Sequence, residues 1–262
     1  MTGMELLAGL LTGLLLGLIG SGGSIVTLPA LIYLAGVDVK PAMAMTFGIV
    51  AITAAFATVE HGRRGRVKLE VACVFGLTGM VGTYLGARTG VWLPDTLQMI
   101  MFASIMLLAA WRMFAGQPLQ MVTVGPCIES GNIHTRLPSV ALHGIVVGIL
   151  TGMVGVGGGF LIVPALVLLS GLSIRDAVGT SLAVVTLKSM AGFAGYVGSV
   201  QIDYGMMCGF ALVAITGSFA GALLSSRISG DRLKAVFGIF LVFMAGTILL
   251  ENSQEVFQLA EE

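Results

Sequence analysis

The stretch Gly17-Leu-Ile-Gly20-Ser21-Gly22-Gly23-Ser24-Ile-Val-Thr-Leu-Pro29 interrupts a long apolar run, and an interruption of the same pattern follows 135 residues later. There the chain reads Gly152-Met-Val-Gly155-Val-Gly157-Gly158-Gly159-Phe-Leu-Ile-Val-Pro164. Gly17, Gly20, Gly22, Gly23 and Pro29 therefore fall on Gly152, Gly155, Gly157, Gly158 and Pro164. A broken hydrophobic segment at matching positions of two halves points to the binding site of a transporter built from repeats.

The surroundings of both breaks suit a bilayer. The chain is 56% apolar and 10% charged, with a mean hydropathy of +1.01. Soluble domains carry about 25% charged residues. Apolar segments fall at about 6–35, 42–59, 69–90, 96–115, 139–170, 177–198, 205–225 and 233–250. A spanning helix needs about 20 such residues. The expected fold class is an all-α integral membrane protein. Met1-Thr-Gly-Met-Glu5 has no basic n-region, so no cleaved signal peptide is expected. The formal net charge is zero, which gives no electrostatic footprint for nucleic acid. Cys73, Cys127 and Cys208 are scattered and match neither a metal-ligand spacing nor a disulfide framework. No metal and no cofactor is expected.

The halves match beyond the breaks. Ala42-Met-Ala-Met-Thr46 lies opposite Ala177-Val-Gly-Thr-Ser181, Gly82 and Gly86 lie opposite Gly217 and Gly221, and Asp95 lies opposite Asp231 after one inserted residue. The chain thus divides into a first membrane repeat at 1–115, a polar linker at 116–138, and a second repeat at 139–262 with a short acidic tail. The charges are not duplicated in the same way. The connector after the second segment carries Arg63, Arg64, Arg66 and Lys68, whereas its counterpart carries only Asp203. After the seventh segment come Arg227, Arg232 and Lys234, whereas the counterpart offers Arg88 and Asp95. Basic residues concentrate in cytoplasmic loops, so the repeats are expected to have inverted topology. Inversion needs an odd number of crossings per repeat. The glycine-broken segments resolve this if each folds back as a re-entrant or discontinuous helix, which leaves three crossings. Unwound backbone at membrane depth is tolerated where it lines a cavity or is buried in protein. The competing arrangement is eight full crossings and parallel repeats.

An unwound glycine stretch frees N–H groups, and the half-helix after it presents a positive dipole end; both favour an anion. Gly20, Ser21, Gly22, Gly23 and Ser24 would supply donors from one break, and Gly155, Gly157, Gly158 and Gly159 from the other. For any one of these glycines alone, helix packing is the competing explanation. The second signal is Lys188, about ten residues from either end of its segment, too deep to snorkel with ease. A lysine at that depth costs roughly 2.5–3.5 kcal/mol on insertion scales and is a functional-site hypothesis by default. Ser181, Val185 and Lys188 share one helical face. The positional counterpart of Lys188 is Thr53, and that of Ser181 is Thr46. Thr46, Thr53, Thr180 and Ser181 are expected to line the cavity, with Lys188 supplying charge.

No Asp or Glu lies at the centre of an apolar segment, which argues against a carboxylate proton relay or a carboxylate-built cation site. His61 and His143 are expected to be interfacial polar residues. No zinc-protease helix motif or phosphate-binding loop is present, and a Ser24–Lys188 pair has no further support for hydrolysis, so no enzyme is expected.

These motifs resemble the TauE/SafE family of sulfite and organosulfonate exporters. The resemblance rests on Gly152 to Pro164, on Ala177-Val-Gly-Thr-Ser181-Leu-Ala-Val-Val, on Gly192-Phe-Ala-Gly195-Tyr, and on their first-repeat equivalents Gly17 to Pro29 and Ala42 to Val50. It implies a multi-pass carrier of the plasma membrane that exports a small inorganic or organosulfur anion. The family more often has a neutral polar residue such as Asn at the position of Lys188, which implies a stronger anion site here and a compact oxyanion such as sulfite. The expected mechanism is alternating access. The alternatives are a passive small-anion channel and a lipid-handling membrane protein. A homo-oligomer is compatible with each. In a cysteine-free background, Gly65→Cys and Asp203→Cys are expected to react with an impermeant thiol reagent from opposite sides of the membrane; labelling from one side would favour parallel repeats.

Overall fold

The computed structural model describes residues 3–19, 23–63, 65, 67–114, 137–155, 162, 174–224, 239 and 242–250. Helix α1 (Gly3–Ile19) precedes the first break. After it come α2 (Gly23–Pro29) and a π-helical turn (Ala30–Leu34), then α3 (Val39–Arg63), α4 (Leu69–Gly90), α5 (Asp95–Phe114), α6 (Leu137–Val154), α7 (Ile174–Tyr196) and α8 (Tyr204–Leu224). Residues 242–250 are also helical. Among the described residues there is no strand, only an isolated bridge between Val197 and Val200. The protein is all-α. Four described helices are long and apolar enough to cross a membrane: Val39–Arg63, Leu69–Gly90, Val178–Tyr196 and Tyr204–Gly221.

Local chemistry places the ends. Pro41 sits in the first turn of α3, where a missing N–H removes no helical bond. His61 and Arg63 close the same helix, next to its negative pole. Asp203 caps α8, its Oδ1 accepting the Met206 N–H at 2.9 Å, which satisfies one of the unpaired donors of the first turn. Pro29 ends the regular part of α2. It has no N–H, and the chain widens into the π turn, closed by Ala35 N–H donating to the Ala30 carbonyl at 3.2 Å. With 7 and 5 residues, α2 and its π turn are together too short to span a bilayer. They pack beside α1.

Helix directions follow from paired residues. Met43 lies beside Tyr196, Phe47 beside Gly192, Thr58 beside Thr186 and Lys68 beside Thr180, so α3 and α7 run antiparallel. Gly82 and Gly86 of α4 meet Ile145 and Ile149 of α6, while Gly76 and Gly79 meet Leu187 and Lys188 of α7, so α4 runs parallel to both. Gly9 and Gly13 of α1 meet Val213 and Ala214 of α8, and Gly48 of α3 meets Met207. Helices α1, α3 and α8 therefore share one direction, and α4, α6 and α7 share the other. The ends of the α3–α4 and α7–α8 connectors lie at opposite ends of the bundle.

Two of these crossings bring backbone against backbone. A methyl group on Gly13 would strike the Ala214 carbonyl, and one on Gly217 would strike that of Leu10. At the other crossing, methyls on Gly82 and Gly86 would strike the carbonyls of Ile145 and Ile149, and one on Gly148 would lie 2.6 Å from the Gly79 oxygen. The two crossings correspond under the 135-residue offset, which takes Gly13 to Gly148 and Gly82 to Gly217. Small residues allow such approach in lipid, where packing rather than the hydrophobic effect joins helices. Gly82→Ala is expected to cost about 1–3 kcal/mol by overpacking, seen as a lower melting temperature in detergent. Gly62→Ala, whose new methyl would have its nearest neighbour at 4.0 Å, is expected to melt like the parent protein.

Candidate functional site

Lys188 lies in α7 with 1% of its surface exposed, and its Nζ has no hydrogen-bond partner. Its stem lies across α4 at Gly79, where an added methyl would be 2.8 Å from Cδ and 3.1 Å from Cγ. The absence of a side chain at Gly79 is what lets the lysine fit between two packed helices. One turn further along α4 on the same face is Thr83, buried with its hydroxyl unpartnered. Ser189, beside Lys188 in the chain, is likewise buried without a partner for its hydroxyl. Buried polar groups are nearly always paired, and each exception requires an explanation.

The other expected site residues have distinct environments. Thr46 in α3 is buried and its hydroxyl is unpartnered. Thr53 donates to the Ile49 carbonyl at 2.6 Å, and Ser181 donates to the Val178 carbonyl at 2.8 Å. Both hydroxyls thereby commit their proton to their own helix. Thr180 accepts the Lys68 N–H at 3.0 Å, tying the start of α4 to α7. Gly155 terminates α6 with φ +74°, a left-handed conformation that glycine adopts without strain. A methyl group there would lie 2.5 Å from Met43 Cβ. Gly23 and Ser24 form the first turn of α2, and their side-chain environment lies outside the described residues. So do Gly20, Ser21, Gly22, Gly157, Gly158 and Gly159.

Of the expected residues, Thr53 opens onto a cavity of about 20 Å³ between α1, α3, α7 and α8, room for one water-sized occupant. Gly17, Glu60, His61, Leu182 and Ser218 are among its walls. Lys188 does not line it. The lysine compartment and the Thr53 cavity are distinct places, related by the 135-residue offset: Thr53 maps to Lys188, Ser218 to Thr83, and Gly17 to Gly152. Among the described residues, no group of three or more His, Cys, Asp or Glu side chains is placed to hold a metal ion.

Sequence reasoning missed three residues. Gly79 and Thr83 carry no signal of their own in an apolar glycine-rich helix, although Thr83 is the offset partner of another hydroxyl, Ser218. Gln98 looks like an ordinary polar residue in the first turn of α5. Fully buried, it donates through Nε2 to the carbonyls of Gly90 at 2.7 Å and Met153 at 2.9 Å. It thereby joins the end of α4 to the last turn of α6, two residues before the turn at Gly155.

A family model described as "Sulfite exporter TauE/SafE" matches residues 5–248. A probable membrane transporter protein of Xylella fastidiosa strain 9a5c is 31% identical over 243 residues, covering 91% of each chain. The probable membrane transporter protein YdhB of Bacillus subtilis strain 168 is 27% identical over 241 residues, covering 92% of this chain and 96% of its own. A probable membrane transporter protein of Haemophilus influenzae is 26% identical over 265 residues, with 94% and 97% covered. No solved structure matches. Gln98→Met is expected to take one donor from the Met153 carbonyl and to leave the Gly90 carbonyl with the Leu93 N–H, at a cost of about 1–3 kcal/mol, measured as lost thermal stability in detergent.

Proposed function

The chain belongs to the sulfite exporter TauE/SafE family of membrane transporters, and from that premise we propose that it carries a small sulfur oxyanion, sulfite or a small organosulfonate, out across the cell membrane by alternating access. The observation that carries this reading is the Lys188 ammonium group, buried and unpartnered in a helix long and apolar enough to span. An isolated charge of this kind is very costly in an apolar medium. A bound oxyanion removes that cost, because charge-assisted hydrogen bonds to oxygen are about twice as strong as neutral ones. The unpartnered hydroxyl of Thr83, one turn from Gly79 on the same face of α4, would supply a further donor. The backbone at the two breaks, Gly20 to Ser24 and Gly155 to Gly159, would complete the shell as N–H donors ahead of the following half-helix.

Alternating access then comes from rocking of two inverted repeats about a fixed midplane site. Support for inversion is geometric. Counterpart helices α3 and α7 run antiparallel, as an in-plane two-fold axis requires; parallel repeats would make them run the same way. The matched glycine crossings of α1 with α8 and of α4 with α6 obey the same relation. Thr46, Thr180 and Ser181 would line the cavity, although the hydroxyls of Thr180 and Ser181 already bond within the protein.

Calorimetry of purified protein with sulfite is expected to show saturable binding, with sulfate, chloride and a sulfonate as comparisons. Lys188→Gln removes hydrogen bonds to a charged group worth about 1.5–3 kcal/mol, so binding should weaken about ten- to hundredfold. Lys188→Met, which deletes the buried ionisable group, is expected to melt at or above the parent temperature while losing sulfite. Unchanged affinity in a well-folded Lys188→Gln protein would take the lysine out of the site. No anion binding by the parent protein would favour the channel or lipid-handling alternatives.

A further inference from the structure

We propose that the cavity at Thr53 is a binding site for one small monovalent cation of the sodium class, separate from the anion site and placed to couple to it. The argument begins with the offset between the repeats. In the second repeat, the position of Thr53 is held by Lys188, whose stem, carrying a covalently attached ammonium group, lies against α4. In the first repeat the side chain ends well short of the lysine's reach, and a cavity of about 20 Å³ remains. That volume holds one water or one ion of similar size. The same compartment of the fold thus contains a fixed cation in one repeat and an open space in the other.

The walls of the open compartment suit a cation. Thr53 Oγ1 directs its proton at the Ile49 carbonyl, 2.6 Å away, so only oxygen lone pairs remain for an occupant. Ser218, 6% exposed, adds a second hydroxyl, and Glu60 adds a carboxyl group. Gly17 belongs to the last turn of α1, where helix carbonyls lack intrahelical donors and the dipole is negative. Carbonyls at the C-terminal ends of half-helices are the groups that hold coupling sodium ions in other broken-helix carriers. Neither Lys nor Arg is in the lining; His61 is, and the remaining walls are apolar. Oxygen-bearing residues from three helices, α1, α3 and α8, line a space of one ion's size, and α1 ends at the first break.

The place also explains how such an ion would act. Its ligands come from α1 and α3 of the first repeat and from α8 of the second, so occupancy would hold the two repeats together. A cation here and an anion at Lys188 would occupy symmetry-related compartments of opposite repeats. The inference rests on the repeat relation used above and not on the identity of the anion.

The experiment is equilibrium binding of ²²Na⁺ to the purified full chain in nanodiscs, with choline chloride holding ionic strength constant. The parent protein is expected to bind sodium saturably, with an excess of unlabelled sodium displacing it. Thr53→Val, close in shape but without the oxygen, should weaken binding by about tenfold or more, a loss of roughly 1.4 kcal/mol. Ser218→Ala should weaken it as well, and carries the test if Thr53→Val does not fold. Lys188→Gln should still bind sodium. Absence of saturable sodium binding in the parent, or parent-like affinity in both Thr53→Val and Ser218→Ala, would overturn the proposal. Sulfite calorimetry on the same samples separates the two readings. Sulfite bound without sodium overturns the cation site alone, whereas sodium bound without sulfite leaves it standing and overturns the anion reading.

Discussion

Everything in this molecule depends on how closely helix backbones approach one another at two glycine-lined crossings. Lipid tails are as apolar as leucine, so no hydrophobic effect draws one helix to another inside the bilayer. Van der Waals packing over a short distance does so, and the distance is short only where side chains are absent. Gly13 and Gly217 form one such place, and Gly82, Gly86 and Gly148 form the other. One crossing joins α1 to α8 and the other joins α4 to α6, so each joins the N-terminal half of the chain to the C-terminal half. The glycines therefore bind the two halves into one body and hold α3 and α7 against each other at its centre.

That arrangement creates two compartments, one filled by the stem of Lys188 and one open at Thr53. Gly79 extends the glycine face of α4 by one turn, and the stem of Lys188 fills the space it leaves. Packing is thus what buries the lysine, and burial is what makes its charge consequential. Where the first repeat has Thr53 in place of a lysine, the same geometry leaves a cavity. At the paired positions the two halves differ, threonine at 53 and lysine at 188. Gln98 adds a brace: its carboxamide fixes the end of α6 to the end of α4, so the turn at Gly155 begins from a defined position.

Much of this was legible beforehand, because membrane proteins write their constraints in composition. The segments that became α3, α4, α7 and α8 were visible as apolar runs of spanning length. The break after α1 was visible because glycine and proline have few other reasons to recur at one spacing in two halves. Lys188 stood out because a charge far from both ends of an apolar segment is expensive. The hydrogen-bond state of the hydroxyls was not legible. Thr46, Thr53, Thr180 and Ser181 look alike in the sequence, yet one is unpartnered, two donate to their own helices, and one accepts from a connector. Nor was the separation of Thr53 from Lys188, since residues at equivalent positions of two repeats need not share one pocket.

The sequence by itself determined the class of the protein, the apolar runs that form its long helices, the end of α1 at the first glycine cluster and the place of its lysine well inside one of those helices. These are properties of hydropathy, glycine content and chain spacing, which act along the chain and need no partner. Only the tertiary structure decided that Gly79 lies against the lysine stem, that Gln98 anchors α6, and that α3 and α7 run in opposite directions. Those facts arise from contacts between segments distant in the chain. Such contacts are set by which helix faces can approach to backbone distance, and no single segment carries that information.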